Sequence, residues 1–195
     1  MISSFRGEHA FLANSYPCDI EIDGICYACA ESAFLASRCA YKTDRKRFAG
    51  LSAADARKIS GNFTERSDWK DAWVSSLREI LTLKFSDGGL MRRLLNTGEE
   101  ELVYENTWND TLLGKCGGKG ENRLGLLLME LRREAKQKNE SEPCSPKQAA
   151  FLHHDPEVVS ALAVLGLTPE LLPKGLASRV ISYRISLAKA KGEET

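Results

Sequence analysis

The sequence contains no long hydrophobic run and no excess of charge of either sign. No stretch of about 18 consecutive apolar residues occurs, so we predict no membrane-spanning helix. The first residues, MISSFRGEHAFLANSYP, lack a basic region followed by a long apolar run, and we expect no signal peptide. The 27 Lys and Arg residues balance the 27 Asp and Glu residues, so no overall positive field favours nucleic acid. A nucleic-acid ligand would therefore have to be bound locally.

Metal-binding patterns are also scarce. The sequence has three His and six Cys residues. Cys26 and Cys29 have the spacing of half a zinc site, but no second pair or Cys/His group at comparable spacing accompanies them. We favour small, partly buried thiols over a metal site, and we predict no metal and no cofactor. Without a secretion signal, reduced cysteines indicate a cytoplasmic protein.

Alternation and turn signals predict the elements of the first two thirds of the chain. CDIEIDGICY alternates around Asp23-Gly24, which predicts a β-hairpin. Residues 5–17 are interpreted as a short strand or turn, and residues 101–106 as a brief strand. Helices are predicted over ACAESAFLASRCAYK, over ADARKISG with Ser52 as its cap, over DWKDAWVSSLREILTLKF with Ser67 or Asp68 as its cap, and over LMRRLLNTG. Helices therefore dominate, with a few short strands.

The character of the sequence changes after Arg133. The segment EAKQKNESEPCSPKQ is charged and polar with two prolines, which is typical of a linker. Residues 148–191 favour two helices separated at Thr168-Pro169. We therefore divide the chain into a domain over residues 1–138, a linker over 139–147 and a C-terminal helical extension over 148–195. The extension is expected to pack on the domain, with an oligomer contact or a partner site as alternatives.

Residues 102–133, LVYENTWNDTLLGKCGGKGENRLGLLLMELRR, carry the strongest functional pattern. A polar and aromatic half precedes a glycine-rich turn, and leucines then recur at helical spacing from about Asn122. Glycines let a backbone approach a ligand closely, and the N-terminus of a helix suits a phosphate. The plainer alternative is a loop followed by a helix cap. The spacing matches neither a dinucleotide-binding fingerprint nor a P-loop.

Several ordered motifs over roughly residues 5–133 resemble the NADAR (YbiA-like) family. The matching positions are Phe11, Leu12, Asn14, Pro17, Gly24, Tyr27, Glu31, Asp68, Trp69, Lys84, Phe85, Leu102, Val103, Glu105, Asn106, Asp110, Gly114, Gly120, Asn122, Leu124, Gly125, Leu128, Met129 and Arg132. The chain departs from the family pattern at Ser32, Arg38 and Leu113, where the family has His, Lys and Trp.

The resemblance implies a compact α+β domain, predominantly α-helical, that binds ADP-ribose-like or ribosylamino-phosphate ligands. It also implies cleavage of an N-glycosidic bond. The partner would be a small nucleotide-like molecule, such as a ribosylamino-pyrimidine phosphate of riboflavin synthesis, or ADP-ribosylated guanine in nucleic acid. In such a reaction a nearby carboxylate stabilises the oxocarbenium-like centre that forms at the anomeric carbon.

The family motifs also imply roles for individual residues. Glu31 would be the carboxylate at the anomeric carbon, or only a helix-dipole acid, and Asp110 a partner acid or ribose-hydroxyl ligand. Trp69 would stack a ring of the ligand or lie in the core, and Lys84 would meet a phosphate or extend along apolar surface. Arg38 stays protonated, so a covalent lysine mechanism is unavailable there. The substrate-binding residues would be Phe5, Gly7, Asn14, Arg38, Trp69, Lys84, Glu105, Asn106, Trp108, Gly114 and Asn122.

The leading functional hypothesis is therefore an N-glycosidase. The alternative is a non-catalytic module that binds ADP-ribose or an NAD derivative, which the departures at Ser32, Arg38 and Leu113 favour. A structural or partner-binding role of the C-terminal helices is compatible with either hypothesis.

Overall fold

The computed structural model describes residues 1–192 and confirms the α+β, predominantly helical class. Two compact units form, a first unit over Met1–Arg132 and a second unit over Arg133–Thr195. Residues 193–195 of the predicted extension lie outside the described residues. No helix within residues 1–192 is both long and apolar enough to cross a membrane.

A β-hairpin begins the regular structure of the first unit, as predicted. Strands β1 (Pro17–Ile22) and β2 (Ile25–Cys29) pair antiparallel, with Ile22 opposite Ile25. Asp23 and Gly24 connect them with φ values of 53° and 74°. Positive φ at both central residues is the geometry that matches the twist of a tight hairpin, and an Asp-Gly pair adopts it readily.

Helices make up most of the rest of the first unit. Their bounds are α1 Ala30–Ser37, α2 Lys42–Arg45, α3 Ala53–Ile59, α4 Trp69–Lys84, α5 Gly88–Asn96 and α6 Arg123–Ser141. Ser52 caps α3 as predicted, because its Oγ accepts the Asp55 N–H at 3.2 Å. Asp68 precedes α4 but makes no side-chain cap bond; its carboxylate pairs with Arg66 instead, at 2.6 Å.

The core of the first unit forms where the apolar faces of α4 and α6 meet the start of the chain. Leu77 and Leu81 of α4 are fully buried, and so are Leu124 and Leu128 of α6. Phe11 belongs to the same cluster. The predicted helical periodicity of both segments is therefore confirmed, and burial of these faces supplies most of the driving force for folding of this unit.

Two short segments of the first unit differ from their predicted structure. Residues 5–17 contain a 3-10 helix, Gly7–Leu12, that was not predicted, and then the predicted turn, at residues 13–16. The predicted strand over 101–106 forms only isolated bridges, Leu102 with Ile2 and Glu105 with Lys115. The reason lies in the Asn122 side chain, which accepts the Tyr104 N–H and donates to the Leu102 carbonyl. These backbone groups therefore do not bond to a neighbouring strand.

Besides the end of α6, the described part of the second unit contains three α-helices where two were predicted. They are α7 Pro146–His153, α8 Pro156–Val164 and α9 Lys174–Gly192, with a 3-10 turn at Pro169–Leu171. The predicted first helix breaks because Asp155 caps α8 through the Val158 N–H at 3.3 Å, and Pro156 has no N–H to continue α7. The predicted linker over 139–147 includes the end of α6 and the start of α7.

Candidate functional site

A cleft of about 530 Å³ in the first unit brings together several residues that the sequence singled out. We call it the Glu31 cleft. Its lining residues are Asn14, Ser15, Glu31, Phe34, Leu35, Arg57, Tyr104, Trp108, Asp110 and Leu113. Two carboxylates, a guanidinium, an amide and three aromatic rings therefore face one space, which is the composition of a site for a polar, ring-bearing ligand.

Glu31 enters the cleft from the first turn of α1. Its backbone N–H donates to the Asn14 carbonyl at 2.9 Å, which ties the start of the helix to the segment before the hairpin. Its carboxylate forms a two-point pair with Arg57 of α3: Nη2 donates to Oε2 at 3.0 Å, and Nε donates to Oε1. Arg57 was not among the predicted site residues. It lies 26 positions from Glu31, so no local spacing in the sequence indicates the pair.

Asp110 reaches the cleft from a loop that Asn106 holds in place. The buried Asn106 amide donates to the Asp110 carbonyl at 2.7 Å and accepts the Asp110 N–H at 3.0 Å. Asp110 Oδ1 then accepts the N–H groups of Leu112 and Leu113, at 3.2 and 2.9 Å. The side chain thus fixes its own turn, and the position of its carboxylate is set before any ligand arrives.

Tyr104 lies within the electrostatic reach of both acids. Burial raises the pKa of Tyr104, and the negative charges of Glu31 and Asp110 raise it further. Its ring stacks on Phe5 at 5.5 Å and meets Trp108 edge-on at 6.1 Å. Tyr104 was interpreted as part of a strand. The structure places it in the cleft as a neutral phenol.

Asn14 presents an unsatisfied polar atom. Its side chain is buried, with 8% exposed, and among the described residues no donor meets its Oδ1. A buried acceptor without a donor costs about 1 to 3 kcal/mol.

Lys84 lies outside the Glu31 cleft. Its ammonium is buried, with 1% of the residue exposed, and donates to the Ala13 carbonyl at 2.6 Å, one residue before Asn14. Burial lowers the pKa of Lys84 to about 8, although the neighbouring Cys18 and Cys29 thiols oppose that shift. Its place in the fold is that of a buried cation that fixes the backbone beside the cleft.

The glycine-rich turn packs against the protein's own backbone. A Cβ on Gly114 would lie 2.1 Å from the Tyr104 carbonyl, so only glycine fits where these two segments cross. Asn122 accepts the Tyr104 N–H and donates to the Leu102 carbonyl, both at 2.9 Å. Glu105 accepts the Gly118 N–H at 3.3 Å. These contacts favour the loop-and-cap interpretation of this turn.

The remaining predicted residues lie at the periphery. Trp69 packs against Phe34 with ring centroids 5.3 Å apart, while Gly7 is exposed and begins the 3-10 helix. Arg38 pairs with Glu65 at 2.6 Å and does not line the cleft. Ser32, where the family has His, is fully buried, and its Oγ donates to the Phe48 carbonyl at 2.9 Å.

Metal ligands do not converge in the part of the chain that the structure describes. No group of three or more His, Cys, Asp or Glu residues there could hold an ion. The six cysteines are free thiols, and burial raises the pKa of Cys18, Cys29, Cys39 and Cys144. These four thiols are therefore protonated near neutral pH.

Known proteins resemble the chain over its first two thirds. The riboflavin biosynthesis protein of Vibrio vulnificus is 36% identical over 131 residues, which cover 65% of this chain and 35% of that protein. The chain thus spans about a third of that relative. The N-glycosidase YbiA of Escherichia coli is 31% identical over 119 residues, covering 59% of this chain and 74% of YbiA.

A solved structure and a family model agree with these relatives. The NMR structure of Escherichia coli YbiA superimposes with a TM-score of 0.65 at 27% identity, covering 72% of this chain and 86% of that chain. The family model of the NADAR domain matches residues 2–136. The family resemblance read from the motifs is thereby confirmed, and the chain belongs to the NADAR domain family.

Proposed function

We propose that this protein is an N-glycosidase that acts in the Glu31 cleft. The observation that carries the proposal is that two carboxylates, Glu31 and Asp110, line one cleft together with the aromatic rings of Tyr104 and Trp108. Relatives named N-glycosidase YbiA and riboflavin biosynthesis protein support the same reaction class. The substrate is an ADP-ribosyl or phosphoribosylamino compound.

The reaction follows from these groups. The bond between the anomeric carbon and nitrogen breaks, its electron pair leaves with the base, and positive charge develops on the ribose. The Glu31 carboxylate stabilises that charge. Water adds to the anomeric carbon, and its proton passes through Asp110 to the departing base, so that the products are the free base or amine and a ribose hydroxyl.

Aromatic and amide groups hold the two ends of the substrate. Trp108 is 58% exposed at the cleft edge and contacts the Tyr104 ring, so it can cover a base by stacking. Trp69 packs against Phe34, which also lines the cleft. Asn14 also lines the cleft, and a rotation of its side chain would bring the buried, unsatisfied Oδ1 to a ribose hydroxyl.

Two substrates are candidates for this cleft of about 530 Å³. One is a ribosylamino-pyrimidine phosphate, which the riboflavin biosynthesis relative favours. The other is ADP-ribosylated guanine, free or in nucleic acid. The reaction belongs in the cytoplasm, where the six cysteines stay reduced.

Base release from both substrates, separated by chromatography, tests the proposal with a matched pair of variants. Glu31→Gln removes the charge and is expected to lower kcat about 100-fold or more. Asp68→Asn removes the charge of another Arg-paired carboxylate that does not line the cleft, and is expected to keep the wild-type rate. Full activity of Glu31→Gln would exclude the catalytic role of Glu31. No base release by the wild type, with ADP-ribose still raising Tm, would identify a non-catalytic binding module.

A further inference from the structure

Arg57 occupies both oxygens of the carboxylate that the proposed reaction needs. Its Nη2 donates to Glu31 Oε2 at 3.0 Å, and its Nε donates to Oε1, so the planar guanidinium meets the carboxylate edge to edge. The pair raises the pKa of Arg57, which stays charged at every physiological pH. A carboxylate bound in this way presents little net negative charge to a developing cation.

The two partners differ in their freedom to move. The Glu31 side chain is 22% exposed and belongs to α1, whose first turn is tied to Asn14. The Arg57 side chain is 57% exposed on α3. The partner that can leave the pair at little cost is therefore Arg57, because its long side chain already contacts solvent.

A guanidinium released from a carboxylate can bind another anion that offers two oxygens to its parallel N–H groups, and a phosphate is such an anion. Among the described residues that line the Glu31 cleft, Arg57 alone carries a positive charge. Lys84 is directed to the Ala13 carbonyl, and Arg38 to Glu65. A phosphate that enters this cleft consequently meets Arg57.

We propose that Arg57 recognises the substrate phosphate and, by exchanging Glu31 for it, releases the Glu31 carboxylate for the reaction. The proposal rests on the proposed function for its substrate, an N-glycoside whose ribose carries a phosphate or pyrophosphate. In this proposal the substrate phosphate is needed for turnover as well as for binding, because it releases Glu31 from Arg57. An unphosphorylated N-glycoside leaves Arg57 on Glu31 and is held in the cleft with its carboxylate neutralised.

If Arg57 exchanges Glu31 for the phosphate, the substrate phosphate affects kcat as well as KM. With the ribosylamino-pyrimidine 5′-phosphate and its dephosphorylated form as substrates, the phosphate is expected to raise wild-type kcat, and not only to lower KM, by about 10- to 100-fold. In Arg57→Met this effect of the phosphate on kcat falls to less than about threefold, because Glu31 is released whether or not the phosphate is present. Arg57→Lys keeps the charge without the two-point geometry and is expected to lie between these values.

Arg66→Met is the matched control. Arg66 forms the same two-point pair with a carboxylate, at 2.6 Å to each oxygen of Asp68, and it does not line the cleft. This variant is expected to keep the wild-type effect of the phosphate. An unchanged effect in Arg57→Met and Arg57→Lys would overturn the proposal while leaving the N-glycosidase assignment intact.

A binding measurement tests phosphate recognition without turnover. Ribose 5-phosphate is expected to raise the Tm of the wild type and of Arg66→Met, whereas ribose alone is not. The same Tm increase in Arg57→Met would overturn the proposal. If the wild type releases no base but Arg57→Met alone loses the increase, the phosphate site stands and the proposed reaction fails. If Arg57→Met does not fold, Arg57→Lys provides both measurements.

Discussion

The two units of this chain bury different kinds of side chain. Among the described residues, every buried polar or charged side chain lies in the first unit: Asn14, Ser32, Lys84, Thr97, Asn106, Asn122 and Arg132. The buried cluster of the second unit consists of aliphatic side chains and one thiol: Cys144, Ala149, Leu152, Val158, Leu162, Leu172 and Ala177. The proposed function belongs to the unit with the polar interior.

The difference shows how irregular backbone is held where a site has to be built. In the first unit, buried polar groups bond backbone that is distant in sequence: Lys84 binds the Ala13 carbonyl across 71 positions, and Asn122 binds residues 102 and 104. In the second unit the cap formed by Ser145 and Gln148 is local, but long-range side-chain bonds occur as well. Gln148 donates to the Lys174 carbonyl at 3.2 Å, and Arg184 donates to Asp155 at 2.5 Å, from side chains that are only partly buried. The two units therefore differ in the burial of the polar side chains that make such bonds: Lys84 and Asn122 of the first unit are buried, whereas Gln148 and Arg184 of the second are partly exposed.

The largest expected difference between the two units is the effect of replacing a helical glycine by alanine in each. A Cβ at Gly125 in α6 would lie 2.1 Å from the Leu102 carbonyl and 2.6 Å from the Asn122 amide, while one at Gly175 in α9 would meet its nearest atom at 3.4 Å. Gly125→Ala is expected to lower the free energy of unfolding by about 3 kcal/mol or more. Gly175→Ala is expected to be neutral or to stabilise by up to about 1 kcal/mol.

Urea denaturation can assign the glycine effects to the units. All three Trp residues, Trp69, Trp73 and Trp108, lie in the first unit, so their fluorescence reports its unfolding alone. Far-ultraviolet circular dichroism reports the helices of both units. Equal effects of the two substitutions would mean that the backbone crossing at Gly125 carries no special constraint, and the contrast between the units would fail there.

The buried ammonium of Lys84 predicts a pH dependence of stability. The pKa of Lys84 is 10.5 in the ordinary case and about 8 in the fold, because burial disfavours the charge. Between these values the unfolded chain holds a proton that the folded chain has lost, so stability from this group rises with pH through that interval. Below about pH 8 Lys84 is protonated in both the folded and the unfolded chain, so the free energy of unfolding is lowered by the full cost of burying its charge.

Lys84→Met isolates that contribution. The difference in unfolding free energy, variant minus wild type, is expected to fall by about 2 to 3 kcal/mol between pH 7 and pH 10, because only the wild type gains from deprotonation. Urea denaturation followed by Trp fluorescence at several pH values measures it. Tyr27 titrates in both proteins and cancels in the difference. Lys84→Met also removes the charge that lowers the pKa of Cys18 and Cys29, and the higher pKa of these thiols in the folded variant adds to the fall. A difference that stays constant with pH would mean that Lys84 carries an ordinary pKa.

Local signals in the sequence predicted most of the regular structure. Asp23-Gly24 fixed the hairpin turn, and periodic leucines fixed the buried faces of α4 and α6, because both patterns act within a few residues. The break at Asp155-Pro156 was missed although it also has a local signal, a cap residue followed by proline. The predicted strand at 101–106 failed for another reason, since the Asn122 side chain satisfies its backbone from 18 to 20 positions away.

Only part of the candidate site could be predicted from the sequence. Family motifs led to Glu31, Asp110 and Asn14, and the polar and aromatic segment before the glycine-rich turn led to Trp108. The fold brings these four residues to one cleft. Arg57 was missed, because its ion pair is set by the packing of α3 and α1 and by no spacing in the sequence. The same motifs led to Lys84 and Gly114, whose contacts in the structure are with the backbone of the protein.

The helix cap at Ser145 gives the smallest effect and tests the second unit alone. Ser145 Oγ accepts the Gln148 N–H at 3.3 Å, and Gln148 Oε1 accepts the Ser145 N–H at 2.9 Å, so this box satisfies the first turn of α7. Ser145→Ala is expected to cost about 1 kcal/mol, seen as faster hydrogen exchange in α7, with Ser145→Thr restoring most of it. Base release is expected to stay within about twofold of the wild type, because no group that lines the Glu31 cleft is altered. A larger fall in kcat would show that the cap of α7 in the second unit also supports the site. The functional difference between the polar interior of the first unit and the apolar interior of the second would then be wrong.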